Sequence, residues 1–178
     1  MGIPTLISTA TASGASSVAI TSGIDSTYDE YMFVITDMNA ATDNADFGFQ
    51  VNVDGQSGYN ETMTTTFFDA VLSEGDSGAA LAYNATNDQA EGTALQALLR
   101  ACGNGADESG ACILHLFSPS STTYVKHFYA RAQNYQFENY SQDYFIAGYV
   151  NVTGAIDEIE FKMTSGNFDG VIQMYGIA

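Results

Sequence analysis

The sequence predicts an all-β protein: a single-domain antiparallel β-sandwich, jelly-roll-like, spanning residues 1–178. Three observations carry that prediction. Apolar and polar side chains alternate with a period of two through several stretches, most cleanly at 45–53 and 156–163, which is the pattern of a strand with one buried face. Breaks rich in Gly, Pro, Asn and Ser recur roughly every 8 to 15 residues, leaving room for roughly eight to ten strands and none for βαβ units. No repeat of fixed period is visible, so neither a solenoid nor a propeller is expected. A chain of 178 residues buries about 70% of its unfolded surface, enough for one core.

The chain is uncharged before Asp25. Its Ser-, Thr-, Ala- and Gly-rich start fits two short extended pieces, 5–9 and 17–21, joined by the flexible ATASGAS stretch. Residues 1–16 are therefore expected as an edge strand reached through a loose loop, or as a flexible N-terminal arm that swaps onto a neighbour. After a turn at 23–27, residues 31–36 are apolar on both faces, with Tyr31, Phe33 and Ile35 on one and Met32 and Val34 on the other. Such a strand needs cover on both sides, from a second sheet, a loop or a partner subunit.

Beyond a loop at 39–44, Phe47, Phe49, Val51 and Val53 point inward and Asp46, Gln50 and Asn52 outward. These two strands are expected to pair as a hairpin, and Asp54-Gly55 closes the next turn. The Thr- and aromatic-rich run 59–72 favours one long or bent strand. Residues 73–93 read as an exposed loop. The segment 94–102 reads as a strand, although Ala94, Leu95, Leu98 and Ala101 also fit helical spacing. Stretches 111–117 and 122–133 bracket Ser118-Pro119-Ser120-Ser121 and form a hairpin. Residues 134–143 read as a loop and 144–152 as a strand.

The C-terminal strands can be written with a register. Asp157, Ile159, Phe161 and Met163 face one way and Glu158, Glu160 and Lys162 the other, before a turn at 164–167 in which Gly166 supplies positive φ. Pairing Met163 with Phe168 sets Phe161 opposite Gly170, Ile159 opposite Ile172 and Asp157 opposite Met174. The outer face then sets Lys162 opposite Asp169.

This region also carries a resemblance. Residues 155–178, AIDEIEFKMTSGNFDGVIQMYGIA, together with TSGIDSTYDEYMFVITDM (21–38) and ILHLFSPSSTTYVKHF (113–128), resemble small structural proteins of tailed bacteriophages, of the marine and cyanobacterial phage type. The likeness covers most of the chain in the same order. It implies a virion component. Bulky apolar groups on both faces of 31–36 and of 144–150 need covering and add the expectation of a homo-oligomer, a trimer among the options, that binds other capsid or tail proteins. Without repeats or a coiled-coil shaft, a capsid decoration (cement-type) protein or a short tail appendage is expected rather than a long fibre.

Composition narrows the partners. Four Lys and Arg against 21 Asp and Glu give a formal charge of −17, which lacks the basic footprint of direct nucleic-acid binding and disfavours anionic membrane. Such acidity suits a particle surface in a salty medium, where repulsion between carboxylates is screened over about 3 Å at 1 M ionic strength. Met1-Gly2-Ile3-Pro4 has no basic signal-peptide start, and no apolar run approaches the roughly 20 residues of a bilayer span. Synthesis in a cytoplasm is therefore expected, and the resemblance implies that it is a host bacterium's and that the protein resides in the virion. Cys102 and Cys112 flank GNGADESGA, and a hairpin there would bring the thiols face to face. Reduced, separate cysteines better suit a cytoplasmic product.

No catalytic or phosphate-binding motif is present, and nothing fixes Cys102 or Cys112 against His115 or His127 as nucleophile and base, so no enzymatic activity is expected. A register setting Phe117 opposite Val125 would place His115 opposite His127, but no third or fourth ligand accompanies them. Asp43, Asp46, Asp54, Asp107 and Glu108 mark oxygen-rich turns without a calcium-loop spacing, and no cofactor or metal is expected. Aromatic residues crowd 124–149. Among them Tyr135, Phe137, Tyr140 and Tyr144 are candidates for a subunit interface or for stacking on sugars. The alternative function is thus a lectin-like carbohydrate-binding module of a phage receptor-binding or cell-surface protein, a reading weakened by the absence of Trp.

Overall fold

The computed structural model describes residues 2–178, which hold strands and turns and no helix. The twelve strands are β1 (Thr5–Ala15), β2 (Ser17–Ile20), β3 (Glu30–Ala40), β4 (Ala45–Val53), β5 (Met63–Ser73), β6 (Ala79–Tyr83), β7 (Gln96–Cys102), β8 (Gly110–Phe117), β9 (Lys126–Gln136), β10 (Tyr140–Val150), β11 (Ile156–Met163) and β12 (Phe168–Ile177). All pairings are antiparallel. The order β1-β12-β3-β8-β9-β7-β4-β11-β2 makes a nearly closed, barrel-like sheet, whose two end strands are joined in sequence through Ser16.

The core lies where β12, β3, β8 and β9 face β4 and β11. Phe33 on β3 meets Phe161 on β11 at 5.6 Å between ring centroids, Phe47 on β4 meets Phe168 on β12 at 5.2 Å, and Phe49 on β4 meets Phe128 on β9 at 5.1 Å. Alternation decides which residues enter. On β11, Ile156, Ile159, Phe161 and Met163 are buried, and on β12, Phe168, Ile172 and Met174 are. Each fully buried Phe contributes roughly 1.5–3 kcal/mol relative to exposure, so this aromatic set is the main cohesive element.

An extension leaves the ring at β9. Past the end of β8, the β8-paired edge of β9 makes a single bridge to β7, between Gln136 and Cys102, while the opposite edge of β9 pairs with β10, to which β5 and then β6 are added. The consecutive residues Leu98 and Leu99 of β7 are both fully buried, so β7 is covered on both faces. Leu99 pairs with Phe47, while the other face meets the extension: the Thr65 hydroxyl bonds Gln96 Oε1 at 2.8 Å, and Arg100 Nη1 lies 3.2 Å from Asp69 Oδ2. Buried Lys126 ties down the segment before β11 by donating from Nζ to Val152 O (3.2 Å) and to Gly154 O, and its burial pushes its pKa down.

Several expectations are corrected by this topology. β11 and β12 do not form a hairpin. β11 pairs with β4 and β2, and β12 with β3 and β1, so the 164–167 turn crosses from one wall of the barrel to the other. Gly166 does take positive φ, at 72°. The expected Lys162–Asp169 pair is absent: Lys162 bonds Glu160, and Asp169 accepts from the Gly14 amide at 2.6 Å. β3 and β4 likewise sit on opposite walls instead of pairing. Both layouts send the same side chains inward, but only the crossing sets Phe33 and Phe47 against the aromatic rings of the far wall.

Residues 5–15 are one strand pinned along β12, so the flexible arm is replaced by the edge-strand reading, with a corner at Ser16 leading into β2. The exposed loop at 73–93 contains the short strand β6. The 134–143 loop is instead the β9–β10 hairpin, tightened by Asn139 at φ 64°. Gln50 and Asn52, expected in solvent, are buried: Gln50 Nε2 donates to Glu61 O (2.8 Å) and Ala94 O (3.2 Å), and Asn52 Nδ2 to Gln56 O (3.3 Å) and Glu158 Oε2 (3.2 Å). The segment 96–102 is a strand as expected. β8 and β9 pair as expected.

Candidate interaction surface

The surface is set by parity. On β8, β9 and β10 the even-numbered residues point inward, and on β5 the odd-numbered ones do. The opposite set makes a broad outer face across β8-β9-β10-β5-β6. Straight across it, in register, run Ile113, Arg131, Phe145, Phe68 and Tyr83. Each of the four apolar residues in that row is more than 40% exposed, and Tyr129, Leu72 and Leu81 beside it are as well. A contiguous patch of this kind is unusual on a monomer surface.

Its polar groups neutralise one another. Arg131 donates from Nε to Asp143 Oδ1 (2.6 Å) and from Nη2 to Asp143 Oδ2 (2.5 Å), while its guanidinium carbon lies 3.8 Å from the centre of the Phe145 ring. The carboxylate pushes the Arg131 pKa up, and the two opposite charges balance each other. Histidines aside, Arg131 and Asp143 are the only ionisable groups at neutral pH among the outward residues of these five strands. On a chain of formal charge −17 these strands thus contribute no net charge to the face, and carboxylates reach it only at its margins, from Glu30 beside His115, Asp88 on the Tyr83 hydroxyl and Glu74 at the Tyr135 hydroxyl.

Aromatic stacking stiffens one flank. His115 stacks on Tyr129 at 4.6 Å, Phe117 tilts against Tyr129 at 5.6 Å, and His115 Nδ1 lies 2.5 Å from Glu30 Oε1. His115 is therefore opposite Tyr129, two residues from the register that would set it opposite His127. Shallow grooves separate these groups, one lined by Phe68, Tyr129, Arg131 and Phe145 and another by Ile113, Gln133 and Asp143.

The four residues singled out from sequence divide. Tyr144 is fully buried against Phe67 (5.5 Å), and its hydroxyl donates to Asn134 Oδ1 (2.9 Å) and accepts from the Arg100 amide (3.2 Å). Burial pushes its pKa up. Its ring is unavailable to a ligand, so it is removed from the interface and stacking set. Tyr135 is half-buried, with its hydroxyl donating to Glu74 or Asn139 at the β9–β10 turn. Phe137 and Tyr140 flank that same turn and are also half-buried. The residues that dominate the face, Phe145, Phe68, Tyr83 and Tyr129, were not on the sequence list. For Tyr129 and Phe145 the missing signal was parity: both are odd-numbered in strands whose even positions point inward.

The remaining chemistry is structural. Cys102 and Cys112 are free and buried, and burial pushes the Cys102 thiol up to about 12 and the Cys112 thiol further. Asp46 accepts from the Ala101 amide and Glu108 from the Gly105 amide, so these acids shape turns. Among the described residues no three His, Cys, Asp or Glu side chains are gathered as metal ligands. No protein family, curated protein or solved structure matches this chain. The class that fold and site define is an all-β, barrel-like protein bearing a neutral aromatic sheet face.

Proposed function

We propose that this chain is a non-enzymatic structural subunit of a tailed-phage virion, a capsid decoration (cement-type) or short tail-appendage protein that self-associates and binds other virion proteins. The flattened barrel, with aromatic contacts directly across it, is best assigned within this reading to the jelly-roll type of sandwich. The observation that carries the function is the neutral apolar face around Phe145: on a chain of charge −17 it is where another subunit can approach without repulsion and remove aromatic surface from water. The resemblance of residues 21–38, 113–128 and 155–178 to phage structural proteins supplies the particle. Neither nucleic acid nor membrane is a partner in this reading.

The glycan reading is second to it. Of the tyrosines it relied on, Tyr144 is buried and the Tyr135 hydroxyl is engaged. Co-sedimentation of the purified protein with phage shells and with isolated tails is the test. Binding at a fixed copy number, lost in Phe145→Lys with its melting curve preserved, is the expected result. Failure to bind either assembly, or glycan-array binding that vanishes in Tyr135→Ala, would refute the structural role.

A further inference from the structure

We infer that β6 is a docking edge for a second copy of this chain, joining two extensions into one continuous antiparallel sheet about a twofold axis at Leu81. The inference rests on the self-association part of the proposed reading and assigns it a strand and a symmetry. β6 pairs only with β5. Its phase follows from the hydrogen bonds that end the β5–β6 ladder, Ser73 N to Gly78 O (2.9 Å) and Asn84 N to Phe67 O (2.8 Å). With Asp69 opposite Ala82 and Val71 opposite Ala80, the even-numbered residues of β6 direct their backbone groups at β5. The N–H and C=O groups of Ala79, Leu81 and Tyr83 therefore point away from the sheet. Those three residues are self-complementary: antiparallel pairing of Leu81 with its copy matches Ala79 with Tyr83 on both sides, and every outward donor meets an outward acceptor.

Three features favour a second copy as the occupant. All five residues of β6 are exposed, Leu81 at 74%, and the edge has none of the usual protections: no Lys, no Pro, no bulge. The other long open edge, β1, is protected, with register shifts at Leu6/Ser8 and Ala12/Ala15 and Gly14 at φ 56°. Charge permits pairing at this strip, since residues 77–87 carry none on a chain of −17; β1, in the uncharged segment before Asp25, shares that property and is set apart by its irregularities alone. Like copies repel wherever carboxylates meet, and here they do not meet until Glu74 approaches the partner's Asp88 beyond the strand ends. The pairing also lays the two neutral faces side by side, doubling the apolar surface offered to a third body. A contact of this kind closes with two copies, whereas a trimer would need another surface.

A five-residue ribbon buries less than the ~1,200 Å² of a stable interface, so the dimer is weak alone and gains by avidity when many copies sit on one particle. Sedimentation velocity of the full chain from about 1 to 200 µM is expected to show a monomer–dimer equilibrium that tightens as salt screens the rim carboxylates. Leu81→Pro removes only an outward N–H, which an edge strand tolerates, and is expected to weaken the dimer at least tenfold without lowering the melting temperature. Leu81→Cys is expected to crosslink to itself through a short bis-maleimide, whereas Leu6→Cys on β1, also exposed, is not. A wild-type monomer at 200 µM, or a dimer indifferent to Leu81→Pro, overturns the edge contact. A dimer that persists in Phe145→Lys upholds it, whatever that variant does to binding of shells or tails.

Discussion

Tyr144 and Phe145 are neighbours in sequence with opposite roles, and replacing each in turn tests the assignment of the outer face. Tyr144→Phe removes one oxygen and no volume. The hydroxyl is the partner of Asn134 Oδ1 at 2.9 Å and of the Arg100 amide at 3.2 Å, and Asn134 uses its own Nδ2 to hold Arg100 O at 2.8 Å. The change therefore strands one buried acceptor and one partly buried donor. At about 1–2 kcal/mol for each group, the lower part of the range for unsatisfied buried groups because one of the two is only partly buried, the expected loss is about 2–4 kcal/mol. For a domain of this size that lowers the melting temperature by roughly 5–15 °C. Urea titration followed by tyrosine fluorescence measures it, with an unchanged slope confirming that only stability moved. Phe145→Thr, by contrast, removes a half-exposed ring and is expected to cost at most about 1 kcal/mol while reducing binding to the partner assembly. A Tyr144→Phe protein as stable as wild type, or one that folds normally and fails to bind, would refute the division of labour between the two residues.

Further outcomes follow from the core, the thiols and the acidic surface. Phe161 lies 5.6 Å from Phe33, 6.2 Å from Phe47 and 6.4 Å from Phe49 between ring centroids, so Phe161→Ala is expected to cost about 3–5 kcal/mol in urea titration; a loss under about 1 kcal/mol would mean the two walls do not meet there. Cys102 and Cys112 are expected to resist a thiol reagent at pH 8 and to react fully once unfolded, without reductant, because both are buried, free and held in their protonated forms. Asp157 is pushed above its ordinary 3.8 by burial first, then by Asp54 and Glu158. The folded chain therefore binds this proton more readily than the unfolded one, so stability is gained as pH falls into the window above 3.8 and the cost is fully present at neutral pH. Asp157→Asn is expected to raise the melting temperature at pH 7, with the gain fading toward pH 4; an equal gain at both values would contradict that origin.

Part of the candidate surface was visible in sequence. Bulky groups on both faces of 144–150 called for cover on two sides, and the structure places Tyr144 and Ile146 in the core with Phe145 in solvent. The crowding of aromatic residues at 124–149 was a poorer guide, because clustering along a chain mixes the two faces of a strand. It put Tyr144 on the list and left Phe145 off. β6 escaped notice because AALAY has neither alternation nor a β-branched residue, and it is a strand only because β5 offers it a ladder.

By itself the sequence determined which apolar side chains face inward along the regular stretches of strand. That follows from the pleat, a local property with a period of two, so Phe47, Phe49, Val51, Ile159, Phe161 and Met163 were placed without knowing any neighbour. Tertiary structure alone decided who pairs with whom. A four-residue link such as 164–167 serves a hairpin or a crossing between walls, and both bury the same residues. The choice falls to long-range packing, because only the crossing sets Phe161 against Phe33 and Phe168 against Phe47 while β1 and β2 take the edges of β12 and β11.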